Sequence, residues 1–111
     1  MNRFEALDAA IAMIRILRPV IEKVARHDPS LAKQMKNAAT SVASCLGEGN
    51  RRVGGDRPHL WRISFGSAGE LQEQLRVVRA WGYLTDGELD ASDEAVDRMC
   101  ALVYRLLTPR R

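Results

Sequence analysis

The sequence predicts an all-α domain, an up-down-up-down four-helix bundle, on three observations. Apolar residues recur in steps of three and four along most of the chain, the spacing that lines one face of an α-helix. The helical stretches are joined by short links rich in Asp, Pro and Gly, which make successive helices antiparallel neighbours. The two central stretches are crowded with small residues, Ala38, Ala39, Ser41, Ala43, Ser44 and Gly47 in one and Gly66, Ser67, Ala68 and Gly69 in the other, so their backbones can approach closely. At 111 residues, 46% of them hydrophobic and 28% charged, one domain spanning 1–111 with one core is expected.

The first helix is predicted from about 4 to 27. Leu7, Ala10, Ile14, Leu17, Ile21 and Val24 form one apolar seam, and Ala9, Met13, Ile16 and Val20 form a second about 100° around the same cylinder. A helix covered on two sides has apolar surface to spare after the core is built, so Met13, Ile16 and Val20 are assigned to a subunit contact. Pro19 cannot donate to the Arg15 carbonyl, which predicts a kink. Asp28 caps the second helix and Pro29 opens it. That helix buries Leu31, Met35, Ala38, Val42 and Cys45.

Val53, Gly54 and Gly55 end the second helix, and Asp56 starts the third with Pro58 in its first turn. One stripe of the third helix holds Leu60, Ile63, Ser67, Leu71, Val78 and Trp81, and Trp61, Phe65, Ala68 and Leu75 lie beside it. These aromatics are assigned to core or interface rather than to base stacking, with Tyr83 left open. Residues 84–90 read as a turn-rich connection around Asp86-Gly87. The last helix is predicted from about 92 to 107, burying Val96, Met99, Val103 and Leu106, with Pro109 as its stop and Arg110 and Arg111 as a basic tail.

No apolar run is long enough to cross a bilayer and no signal-peptide pattern begins the chain, so a cytoplasmic protein without membrane contact is expected. Cys45 and Cys100 fall on apolar stripes and read as small buried hydrophobes. His27 and His59 are isolated, with no pairing of His or Cys at ligand spacing, so neither a metal nor any other cofactor is expected. Gly47-Glu48-Gly49 lacks the preceding strand and the Lys-Ser or Lys-Thr of a phosphate-cradling loop. Glu70 and Glu73 could in principle act as acid and base, but Glu70 is read instead as a structural carboxylate, locked at the small-residue crossing by Ser41, Ser44 and Ser67 or by Arg51. Glu48 joins Glu70 and Ser67 as a structural polar residue.

The net charge of +3 and pI of 9.2 permit a nucleic-acid partner. Lys33, Lys36, Arg51, Arg52, Arg57 and Arg62 are assigned to a basic surface around the corner between the second and third helices, while acidic residues concentrate between 86 and 97. Such a patch would hold phosphates without reading base sequence. The alternative is a structural or protein-interaction module whose basic rim keeps it soluble, and a third option is a small enzyme using Glu48 or Glu70.

Several short motifs bring a family into view: Ala38-Ala39-Thr40-Ser41-Val42, Glu48-Gly49-Asn50, Gly66-Ser67-Ala68, Glu70-Leu71, Gln74-Leu75 and Gly82-Tyr83-Leu84. Together they resemble the small four-helix proteins grouped with the large-subunit ribosomal RNA intervening-sequence proteins, a group that includes the accessory variability determinant proteins of diversity-generating retroelements. The chain departs from the family pattern in having Cys45, Leu46 and Gly47 where Asn, Ile and Ala often precede the Glu-Gly pair, and Gln72 where Glu often stands. The resemblance implies a ring-shaped homo-oligomer, commonly a pentameric barrel, without enzymatic activity of its own. In the retroelement members it implies a basic barrel that helps a reverse transcriptase handle RNA and DNA.

Overall fold

Four antiparallel helices account for nearly all of the chain: α1 (Arg3–His27), α2 (Pro29–Arg51), α3 (Asp56–Trp81) and α4 (Asp86–Leu107). The computed structural model describes residues 3–52 and 54–108, with side chains from Glu5 onward. Val53, Pro109 and the basic tail Arg110-Arg111 lie outside the described residues. Each helix packs on two neighbours, α1 and α3 each lying against α2 and α4, in a bundle 43 × 23 × 19 Å. The α2–α3 packing is the most extensive, as the small residues of those helices predict.

The helix ends follow local chemistry. Asp28 Oδ1 accepts the Leu31 amide at 3.0 Å and Pro29 opens α2. Gly82 takes the left-handed conformation at φ 73° that closes α3, with its amide on the Arg79 carbonyl at 3.0 Å and the Tyr83 amide on the Val78 carbonyl at 3.2 Å. α4 begins at Asp86, six residues before the predicted start. The reason is a capping box: the Glu88 amide donates to Thr85 Oγ1, and Glu88 Oε1 accepts the Thr85 amide at 3.0 Å. α1 runs unbroken through Pro19, which is exposed on its outer side.

The core stripe of α1 is Ala6, Ala10, Met13, Leu17, Val20 and Val24, so it runs between the two predicted seams and draws from both. Met13 and Val20 are therefore core residues of the single chain, 1% and 5% exposed, and not a subunit contact. Ile16 is exposed, and Ile14 and Ile21 are half-buried on the flank toward α2. A similar shift applies to α3, whose buried stripe is Trp61, Ser64, Ala68, Leu71, Leu75 and Val78. Ile63 and Phe65 lie outside it, because polar Ser64 between them takes the core position that hydropathy alone assigns to a larger neighbour, and Trp81, the last residue of α3, is exposed. Ser64 is satisfied there by donating to the Val42 carbonyl at 3.0 Å. Cys45 and Cys100 are free thiols and half-buried rather than fully buried. Burial, and then the charge of Asp97, push the Cys100 thiol pKa up.

Candidate nucleic-acid interface

The corner where α2 passes into α3 is built around one close approach. A Cβ at Gly49 would lie 2.5 Å from Trp61 Nε1, so only glycine lets the last turn of α2 seat against the indole. Arg57 closes the arrangement, its Nε donating to the Gly49 carbonyl at 3.1 Å and its guanidinium lying 5.8 Å from the centre of the Trp61 ring. Arg52 bridges the two helices as well, pairing with Glu48 at 2.9 Å and with Asp56 at 3.7 Å. Arg51 and Arg62 are exposed and form no ion pair among the described residues. The corner thus divides its arginines: Arg52 and Arg57 hold the turn, and Arg51 and Arg62 are exposed without an ion pair among the described residues.

Lys33 and Lys36 do not join this cluster. They lie in the first turns of α2, and at a rise of 1.5 Å per residue Lys36 is about 22 Å along the helix from Arg51. Both line a groove of about 570 Å³ between α1 and α2 together with Arg18. Ser67 does reach the predicted crossing, donating to Ser41 Oγ at 2.9 Å. Glu70 does not: it is exposed and accepts from Gln74 Nε2 at 3.0 Å. Glu48 serves the corner as a partner of Arg52.

The opposite end of the bundle carries aromatic and acidic residues. His27 stacks on Tyr83 with centroids 5.0 Å apart, and Trp81 stacks on the same tyrosine at 6.3 Å. Tyr83 donates its hydroxyl to Asp28 Oδ2 at 3.1 Å; burial first, then this carboxylate, raise the phenol pKa. Arg79 is held by Asp86 and Asp93, whose hydrogen bonds raise the guanidinium pKa, and Lys23 pairs with Glu88 at 3.1 Å. Arg79 and Lys23 are thus paired here, whereas Arg51 and Arg62 at the corner form no ion pair among the described residues. The aromatic stack was not visible in the sequence, because its rings come from the ends of α1 and α3 and share no periodicity.

The chain belongs to the family of 23S rRNA-intervening sequence proteins. A family model described as 23S rRNA-intervening sequence protein matches residues 5–105. The crystal structure of a protein of unknown function from the S23 ribosomal protein family of Bacteroides thetaiotaomicron has the same fold, with a TM-score of 0.86 at 15% identity over 97% of this chain and 99% of that one. No curated protein matches. No helix among the described residues is long and apolar enough to cross a membrane.

Proposed function

We propose that this protein is a nonenzymatic homo-oligomer that holds the phosphate backbone of RNA or DNA at the α2–α3 corner. The observation that carries the reading is the pair Arg51 and Arg62, exposed and without a carboxylate partner among the described residues, beside two arginines already committed to the turn. Exposed guanidinium groups on a rigid corner suit phosphate oxygens. One chain at +3 binds a polyanion weakly. A ring presents the corner repeatedly, and in the pentamer that the resemblance implies, five copies of +3 give +15. Service to a retroelement reverse transcriptase is the more specific form of this proposal, and a reverse transcriptase gene beside this one would support it.

Retention of generic RNA and DNA across a salt series tests the reading. Arg51→Glu with Arg62→Glu is expected to abolish retention while helicity and oligomer mass are kept, since neither side chain has a structural partner among the described residues. The wild-type log-log salt slope should be steeper than that of a single Arg51→Ala variant by about 0.9 for each DNA phosphate that the variant no longer neutralises. Arg26→Glu with Arg76→Glu is the charge-matched control away from the corner, and equal weakening by both pairs would refute a localised site. A second reading, a protein-interaction module, is favoured by Trp81, which is 69% exposed at the acidic end. Retention that survives reversal of Arg51 and Arg62 but fails in Trp81→Ala would favour it.

A further inference from the structure

The apolar residues of α1 that the core stripe leaves over lie on the two flanks of that stripe, and each flank builds a groove with a different neighbour. Toward α2, Ile14, Ile21 and Ala25 floor a groove whose charged rim is Arg18, Lys33 and Lys36 against the lone carboxylate Glu22. Toward α4, Ala9, Ala12 and Ile16 floor a groove of about 540 Å³ whose charged rim, among the described residues, is Glu5, Asp8 and Glu94 with the cation Arg98. At 100° per residue the two sets of α1 floor residues lie roughly half a turn apart. The protein therefore carries two apolar grooves facing away from each other, and among the described residues one has a rim in which cations outnumber carboxylates and the other a rim in which Asp8 and Glu94 outnumber Arg98.

We propose that these grooves are the two halves of one head-to-tail contact, the α1–α4 groove of one copy docking on the α1–α2 groove of the next. The inference rests on the homo-oligomeric reading above and names the surfaces that reading needs. Charge decides the occupant. A two-fold contact sets each groove against itself, opposing Lys33 and Lys36 with their own copies or Asp8 and Glu94 with theirs. The head-to-tail contact instead sets Lys33 and Lys36 near Asp8 and Glu94, four side chains that are exposed and have no ion-pair partner within the chain among the described residues. Arg18 is already paired with Glu22 at 3.2 Å, which leaves the two lysines as the uncommitted cations of their rim. Ile16, 39% exposed in the monomer, gains cover in this contact. Because the mating surfaces lie on opposite flanks, every copy offers one of each, and repetition closes a ring when the rotation between copies divides a full turn. The apolar floors supply adhesion, and the rims fix partner and register.

Compensating charge reversal tests the pairing, read as molar mass by light scattering at micromolar concentration with circular dichroism as the folding control. Lys33→Glu with Lys36→Glu, and separately Asp8→Lys with Glu94→Lys, are each expected to drop the mass to that of the 12.4 kDa chain. All four reversals together keep the net charge and restore opposite signs across the contact, so the quadruple variant is expected to regain the wild-type mass. A monomeric wild type would overturn the oligomeric reading and this pairing together. An oligomeric wild type would overturn the pairing alone if neither double variant changed its mass, or if the quadruple variant stayed folded but monomeric.

Discussion

Gly49 and Gly66 are one residue type in the same pair of helices, with opposite consequences. A methyl group at 49 meets Trp61 Nε1 at 2.5 Å, whereas at 66 it meets nothing within 4 Å. Gly49→Ala is therefore expected to destabilise by about 1–3 kcal/mol, the usual cost of overpacking a tight site. Gly66→Ala should stabilise by up to about 1 kcal/mol, since alanine is the better helix former and no neighbour is disturbed. Denaturant melts of the two variants check both signs. Glu70→Ala, at an exposed site, should stay within about 0.5 kcal/mol of wild type; a larger destabilisation would restore it to the structural role the sequence suggests. The crowding of small residues was legible, and it did mark the α2–α3 crossing. Which of them touch was not, because composition reports size and says nothing of facing: Gly66 and Gly69 look toward open space while Ser64 and Ala68 are fully buried.

Among the elements, α4 shows how two local signals can compete. Asp86-Gly87 reads as a turn, yet Thr85 and Glu88 three residues apart form a capping box that starts the helix ahead of Gly87 and brings Leu89 and Ser92 into the core. Thr85→Ala should cost about 1 kcal/mol by leaving a first-turn amide unpaired. Glu88 is also the acid-sensitive point of this element. Its carboxylate accepts the Thr85 amide and then pairs with Lys23 and the Thr85 hydroxyl, and these partners, in that order, lower its pKa. A lowered folded-state pKa means that stability is fully present above the ordinary carboxylate range and disappears as pH falls through the lowered value. Glu88→Gln keeps a capping oxygen and removes the titration, so its melting temperature should fall less steeply than wild type below about pH 4.5. Parallel acid limbs for the two proteins would show that Glu88 does not contribute.

At the scale of the whole molecule, charge is arranged rather than merely summed. The acidic end neutralises Arg79 and Lys23, the corner leaves Arg51 and Arg62 unpaired, and the two grooves beside α1 carry rims of opposite sign. The sequence located the basic residues but assigned Lys33 and Lys36 to the corner, because clustering by residue type ignores the length of helix that separates them. If those lysines serve assembly and the corner serves phosphate, binding depends on the ring as well as on the arginines. Asp8→Lys with Glu94→Lys raises the formal charge of each chain from +3 to +7, since each reversal adds two. Were net charge the whole cause, this variant would hold RNA and DNA more tightly than wild type. Without assembly, each chain instead offers a single corner and forfeits the gain of repeated binding along one polyanion, a factor on the order of a hundred or more. The more positive protein is thus expected to be the weaker binder at moderate salt. The quadruple reversal, back at +3, should recover wild-type retention along with wild-type mass. Tighter binding by the +7 monomer would show that the corner acts singly and that the ring contributes nothing to the grip.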